Sequence, residues 1–204
     1  MIRILLADDE TLIRDALVSL LELEDDLTVV ARASNGVEAL EQARAMRPDI
    51  AVLDLQMPAL DGIDTARVLG AEVPSCSSII VTSHGRPGYL KTALAAGVRG
   101  FLPKTVSAQV LARVVRDVAS GGRYVDPELA AEAIGAGDSP LSPREADVLA
   151  LAAEGSPVDE IARRANLSPG TVRNYLSLAT TKLGASNRHE AARIARAVSY
   201  PHLT

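Results

Sequence analysis

Five short apolar runs recur through the first 120 residues, and a helical pattern follows each of them. The runs lie at 2–7, 28–33, 50–54, 78–82 and 100–103 and are dominated by Ile, Leu, Val and Ala. Runs of that length between turn signals read as buried strands. In 11–23, Leu12, Ile13, Ala16, Leu17, Leu20 and Leu21 fall on one face of a 3.6-residue period. Asn35-Gly36 opens a second helix that ends before Pro48, Asp61-Gly62 opens a third, and a fourth begins near Pro87. A fifth spans about 107–120, with Val110, Leu111, Val114, Val115 and Val118 on one side. Strands that alternate with helices pair in parallel through right-handed crossovers. The expected fold is therefore α/β, a five-stranded doubly wound parallel sheet, whose ligands bind outside the carboxyl ends of the strands.

From Gly121 to Pro140 the alternation dissolves. Gly121-Gly122 stops the fifth helix, a short amphipathic piece covers Pro127 to Ile134, and Gly135-Ala136-Gly137-Asp138-Ser139-Pro140 has the composition of a hinge. Beyond it the pattern is all helix. Ser142 followed by Pro143, with Glu145 three residues after the cap, predicts a capping box, and Gly155 ends that helix. A second helix runs from about Val158 to Ala165. A third is capped by Ser168, with Pro169 in its first turn, and lasts to Leu183 before Gly184; a fourth covers about 187–199. The expected division is a domain at 1–120, a linker at 121–140 and a small all-α domain at 141–204.

Polar residues punctuate the ends of the expected strands. Asp8 and Asp9 follow the first, Asp54 closes the third, Thr82 the fourth, and Lys104 follows the fifth. Three carboxylates at neighbouring strand ends repel one another unless a cation sits among them, and hard oxygen ligands in that number suit Mg²⁺. This set resembles the receiver domain of bacterial two-component response regulators, a flavodoxin-like fold. The resemblance implies that Asp54 accepts a phosphoryl group, with Asp9 binding Mg²⁺ directly, Asp8 through water, and Asp54 and the backbone carbonyl of Gln56 completing the set. It further implies that Lys104 and Thr82 stabilise the phosphoryl oxygens and that Phe101 turns inward as Thr82 moves. Met57-Pro58-Ala59-Leu60-Asp61-Gly62 resembles the family's loop after the phospho-acceptor. One departure is that Thr105, not Pro, follows Lys104, which leaves the geometry of that peptide bond open. Gly85-Arg86-Pro87-Gly88-Tyr89 is similar to a subgroup that includes regulators of membrane-lipid desaturation.

On the third C-terminal helix, Val172, Leu176, Ala179 and Leu183 share one side, as core residues would. Arg173, Asn174, Ser177 and Thr181 gather opposite, rich in donors and free of acids. Arg can pair with guanine and Asn with adenine in the major groove of double-stranded DNA. Ser168 and Thr171 lie at the helix N-terminus, where a phosphate is favoured, and Lys182 is a further phosphate candidate. Leu141-Ser142-Pro143-Arg144-Glu145, Glu160-Ile161-Ala162, Leu167 to Tyr175 and Lys182-Leu183-Gly184 resemble the LuxR-type helix-turn-helix. Together with the receiver this resembles the NarL/FixJ class. Asp159 stands where many relatives carry Lys, which removes one phosphate contact.

Charge supports the same division. Residues 139–204 carry 8 basic and 6 acidic side chains, whereas 1–120 carry 12 and 16, so only the C-terminal part suits a phosphate backbone. No apolar run approaches the ~20 residues needed to span a bilayer, and no basic leader precedes the first strand. The lone Cys76 has no partner for a disulfide. These features lead to the expectation of a cytoplasmic protein without a membrane partner. The resemblance implies a transcriptional regulator, not an enzyme, phosphorylated by a sensor histidine kinase and binding DNA as a homodimer. The alternative is a signalling protein that acts by protein–protein contact or independently of phosphorylation.

Overall fold

The computed structural model describes residues 1–83, 87–135 and 139–197. The chain divides into two compact units, residues 1–85 with 90–130 and residues 86–89 with 131–204. Part of the expected hinge (136–138), Gly85 and Arg86 of the subgroup-like segment, and the last residues of the expected fourth C-terminal helix lie outside the described residues.

The first unit alternates strands and helices in the order β1 (Ile2–Ala7), α1 (Thr11–Leu21), β2 (Leu27–Ala33), α2 (Gly36–Met46), β3 (Ile50–Asp54), α3 (Gly62–Glu72), β4 (Ser77–Thr82), α4 (Pro87–Ala95), β5 (Gly100–Pro103) and α5 (Ala108–Ala119). A sixth strand, β6 (Tyr124–Val125), was not expected. The sheet order is β2-β1-β3-β4-β5-β6, and every pair is parallel. The expectation of five strands is thus corrected to six. Two residues are too short to show a period, and β6 exists because Tyr124 N–H and Asp126 N–H donate to the carbonyls of Arg99, just before β5, and Phe101 on it (both 2.9 Å). Part of the expected linker therefore belongs to the sheet.

Alternation of side chains along the strands puts Ile4, Leu6, Ile50, Val52, Ile79, Val81 and Leu102 on one face. There they pack with Val18 and Leu21 of α1 and Leu111, Val114, Val115 and Val118 of α5. Leu5, Leu53, Ile80 and Phe101 are buried on the other. The expected stripe of α1 is only partly right: of its residues Leu21 is buried, while Leu12 and Leu20 remain 83% and 42% exposed, and Val18, outside the stripe, is buried instead. Helix starts follow the local chemistry. The side chains of Asn35, Asp61 and Ser107 accept backbone N–H groups three residues on, capping α2, α3 and α5.

The second unit holds α7 (Pro143–Ala153), α8 (Val158–Arg164), α9 (Pro169–Lys182) and α10 (Arg188–Ala197), following α6 (Pro127–Gly135), which straddles the boundary. The capping box is present: Ser142 Oγ accepts from Glu145 N–H and Glu145 Oε2 accepts from Ser142 N–H. Gly155 and Gly184, at φ +87° and +62°, turn the chain after α7 and α9 in the left-handed region that glycine adopts without strain. Val148, Leu149, Ile161, Val172, Leu176, Ala179 and Ala191 form the core.

Candidate functional site

The order of strands reverses between β1 and β3, so the segments leaving their paired carboxyl ends turn to opposite faces of the sheet and leave a crevice. Asp8 and Asp9 sit just beyond β1, and Asp54 ends β3 beside it. One carboxylate oxygen from each of Asp8, Asp9 and Asp54 lies within 4.8 Å of the others. Thr82 ends β4, and its carbonyl accepts the Lys104 N–H at 2.8 Å, which brings the lysine over the crevice. Lys104 Nζ lies 2.7 Å from Asp8 Oδ2, 2.9 Å from Asp54 Oδ1 and 3.5 Å from Glu10 Oε1. Asp8, Asp54, Thr82 and Phe101 are all buried. The structure thus brings together the acids, Thr82 and Lys104, with Phe101 three residues before the lysine on β5. Among the described residues no peptide bond is cis, so the bond after Lys104 is trans.

The other Asp54 oxygen accepts the N–H of Gln56 at 2.9 Å, and Asp8 Oδ1 accepts that of Glu10 at 3.0 Å. Asp8 Oδ2 is fully buried, with the Lys104 ammonium 2.7 Å away. With the Asp9 and Asp54 oxygens it makes an all-oxygen donor set whose remaining lone pairs fit Mg²⁺. Burial raises Asp54 from the ordinary 3.8 to about 6, against the pull of Lys104. Burial and then the neighbouring Asp8 charge push Asp9 upward as well. Lys104 loses solvation, which alone would lower its value, but the Asp8 and Asp54 carboxylates outweigh that and raise it.

Two neighbours were not anticipated from the sequence. Glu10 adds a fourth carboxylate at the rim, a possibility visible in its place directly after the acid pair. Arg14, about one turn into α1, donates from its guanidinium to the Asp8 carbonyl at 2.7 Å and braces the β1–α1 turn; only the fold reveals that.

The second candidate surface is α9. Val172, Leu176 and Ala179 face the core, with Leu183 partly buried just beyond the helix, while Arg173, Asn174, Ser177 and Thr181 are exposed. Among the described residues, neither the Arg173 nor the Asn174 side chain has a hydrogen bond or ion pair. Ser168 Oγ accepts the Thr171 N–H at 3.1 Å and lies 2.8 Å from the Thr171 hydroxyl, so both residues are engaged in capping. Thr181 Oγ1 donates to the Ser177 carbonyl at 3.0 Å. Lys182 differs from the rest: its Nζ is 2.8 Å from Glu145 Oε2 on α7.

A parallel α/β unit with this crevice, followed by a helical unit with a donor-rich exposed helix, is the architecture of a receiver joined to a DNA-binding module. Residues 4–116 match the family model for the response regulator receiver domain, and 139–195 match that for bacterial regulatory proteins of the luxR family. The chain is 40% identical to the transcriptional regulatory protein DesR of Bacillus subtilis, over 94% of each chain. It is 35% identical to the DNA-binding transcriptional activator DevR/DosR of Mycobacterium tuberculosis, over 94% of this chain and 93% of that one. A solved complex of the two-component response regulator RcsB with DNA is similar at a TM-score of 0.62 and 25% identity, covering 97% of this chain and 99% of that chain. The chain belongs to the two-component response regulators, DNA-binding transcriptional regulators that join a receiver domain to a LuxR-type helix-turn-helix. Among the described residues, no helix is long and apolar enough to cross a membrane.

Proposed function

We propose that phosphorylation of Asp54 by a sensor histidine kinase switches this regulator, and that the switched form binds double-stranded DNA as a homodimer. The observation that carries the reading is the placement of Lys104 Nζ between Asp54 and Asp8, 2.9 and 2.7 Å away. An ammonium there would balance the charge of a phosphoryl group on Asp54, and the Thr82 hydroxyl would meet a second oxygen. An Asp54 oxygen would attack phosphorus as the bond from phosphorus to the donor's imidazole nitrogen breaks. The acyl phosphate brings about −1.5 to −2 charge and three acceptors into the crevice.

Asp8, Asp9, Asp54 and the Gln56 carbonyl would hold Mg²⁺, which supplies charge neutralisation for the incoming phosphoryl oxygens. Phe101, buried on β5 three residues before Lys104, would report the shift of Thr82. On α9, Arg173 and Asn174 would read base edges, with Ser177 and Thr181 beside them and Ser168 and Thr171 at a helix N-terminus that favours phosphate. The receiver would extend through β6, so that the linker expected at 121–140 begins only after it, with the DNA-binding domain at 141–204, in a cytoplasmic protein whose purpose is signalling and not turnover.

The test is incubation with acetyl phosphate and Mg²⁺ followed by intact-mass measurement. One phosphate adduct is expected, lost in Asp54→Ala and under EDTA. An adduct that persists in Asp54→Ala would refute the assignment of the acceptor. DNA binding that is equal with and without the adduct would favour control by protein contact instead.

A further inference from the structure

We propose that Lys182 is a positioning residue: it pins the C-terminal end of α9 to the start of α7, and its charge is not offered to the DNA backbone. The inference rests on the reading of α9 as the recognition helix. The Glu145 side chain is 4% exposed, and a buried carboxylate has to be paired and hydrogen-bonded. Its Oε2 meets two groups, the Ser142 N–H at 2.7 Å and Lys182 Nζ at 2.8 Å. One oxygen thus closes the capping box of α7 and holds the last turn of α9, 37 residues away in sequence. The lysine also lies where a cation complements the carbonyl end of the helix dipole.

The donors along α9 therefore divide into two kinds. Arg173 and Asn174, near the N-terminus, have no side-chain partner among the described residues, whereas Lys182 is committed to Glu145. Arg173 lies nine residues before Lys182, roughly 14 Å along the helix at the usual rise. Between these points Val172, Leu176 and Ala179 pack into the core, and the Lys182–Glu145 pair fixes the far end. A tilt of about 5° at the lysine end would move Arg173 by roughly 1 Å, enough to spoil a bidentate base contact whose bonds tolerate only a few tenths of an ångström. Lys182 thus serves base reading from a distance, through the angle of the helix.

The experiment uses the full chain treated with beryllofluoride and Mg²⁺. The probes are a duplex enriched from a random pool by the wild-type protein and the random pool itself. Lys182→Met should lower the ratio of selected to random affinity about tenfold, the order of one bidentate base contact. The slope of log affinity against log salt should stay unchanged. Lys182→Arg should restore the ratio. Glu145→Gln should reproduce the loss, and adding Lys182→Met to it should cost little more, as expected of partners in one interaction. A salt slope shallower by about 0.9 in Lys182→Met would reveal a phosphate contact and overturn the proposal. So would a gain in random-DNA affinity in Glu145→Gln. If Lys182→Met does not fold, Lys182→Gln, which removes the charge but keeps a donor for Glu145, carries the slope measurement with the same two outcomes. Failure of the wild-type protein to enrich any duplex would instead remove the recognition-helix reading, and this inference with it.

Discussion

Replacing Asp54 by Asn should stabilise the metal-free protein at neutral pH and change it little in acid. The wild-type carboxyl is raised from 3.8 to about 6 by burial. At about 1.36 kcal/mol per pKa unit, ionising it in the fold costs roughly 3 kcal/mol. The sign follows from linkage: the native state holds the proton more tightly than the unfolded chain, so stability is full below about pH 4. It then declines as pH rises to about 6 and stays low above that. Asn carries no such charge and, like the protonated carboxyl, offers one carbonyl oxygen to the Lys104 and Gln56 N–H donors. Asp54→Asn should therefore match wild type within about 1 kcal/mol at pH 4 and be about 2–3 kcal/mol more stable at pH 7.5. Scanning calorimetry in EDTA would read this as receiver transitions that coincide in acid and separate as pH rises, each kcal/mol moving the midpoint by about 2–8 °C. Mg²⁺ at pH 7.5 should raise the wild-type midpoint and erase the variant's advantage, because a cation beside the carboxylate offsets the cost of burying its charge. A difference between the two proteins that does not vary with pH would refute the account of a buried, strained carboxylate.

Gly62→Ala places a Cβ 2.2 Å from the Asp54 carbonyl oxygen, so α3 must shift. A loss of about 1–3 kcal/mol together with weaker Mg²⁺ binding is expected, read by urea unfolding and titration calorimetry. Ser142→Ala should cost the second unit about 1 kcal/mol by removing the cap of α7, seen as a lower midpoint for that unit with the receiver transition unmoved. Beryllofluoride with Mg²⁺ should strengthen self-association in sedimentation velocity, and the avidity gain on an inverted-repeat duplex should be about 10²–10⁴-fold. An unchanged association constant with stronger DNA binding would reject dimerisation as the switch.

The site in the first unit was legible because it is written at strand ends. Asp8, Asp9, Asp54, Thr82 and Lys104 each terminate a β-rich run, and a parallel sheet gathers such ends at one edge. Caps were legible for the same local reason, since Ser142 with Glu145 needs only three residues of context. Helix α1 was not fully legible. With Leu12, Ile13, Ala16, Leu17, Val18, Leu20 and Leu21 in eleven residues, apolar positions outnumber those one face can bury. The sheet selected Val18 and Leu21 and left Leu12 outside.

What the sequence determined by itself is whatever depends on neighbours along the chain: the alternation of elements, the helix caps and turns, and the order of the polar residues that end the strands. Tertiary structure decided the rest, because it depends on groups brought close from far apart. Tyr124 and Val125 became a strand only because β5 offered an unpaired edge. Asp54 acquired its raised affinity for protons only once the sheet had removed water from it. Lys182, a plausible phosphate ligand by its place in the helix, met Glu145 only because α7 and α9 pack together. In each case the deciding energy is desolvation and pairing across the fold, which no short stretch of sequence contains.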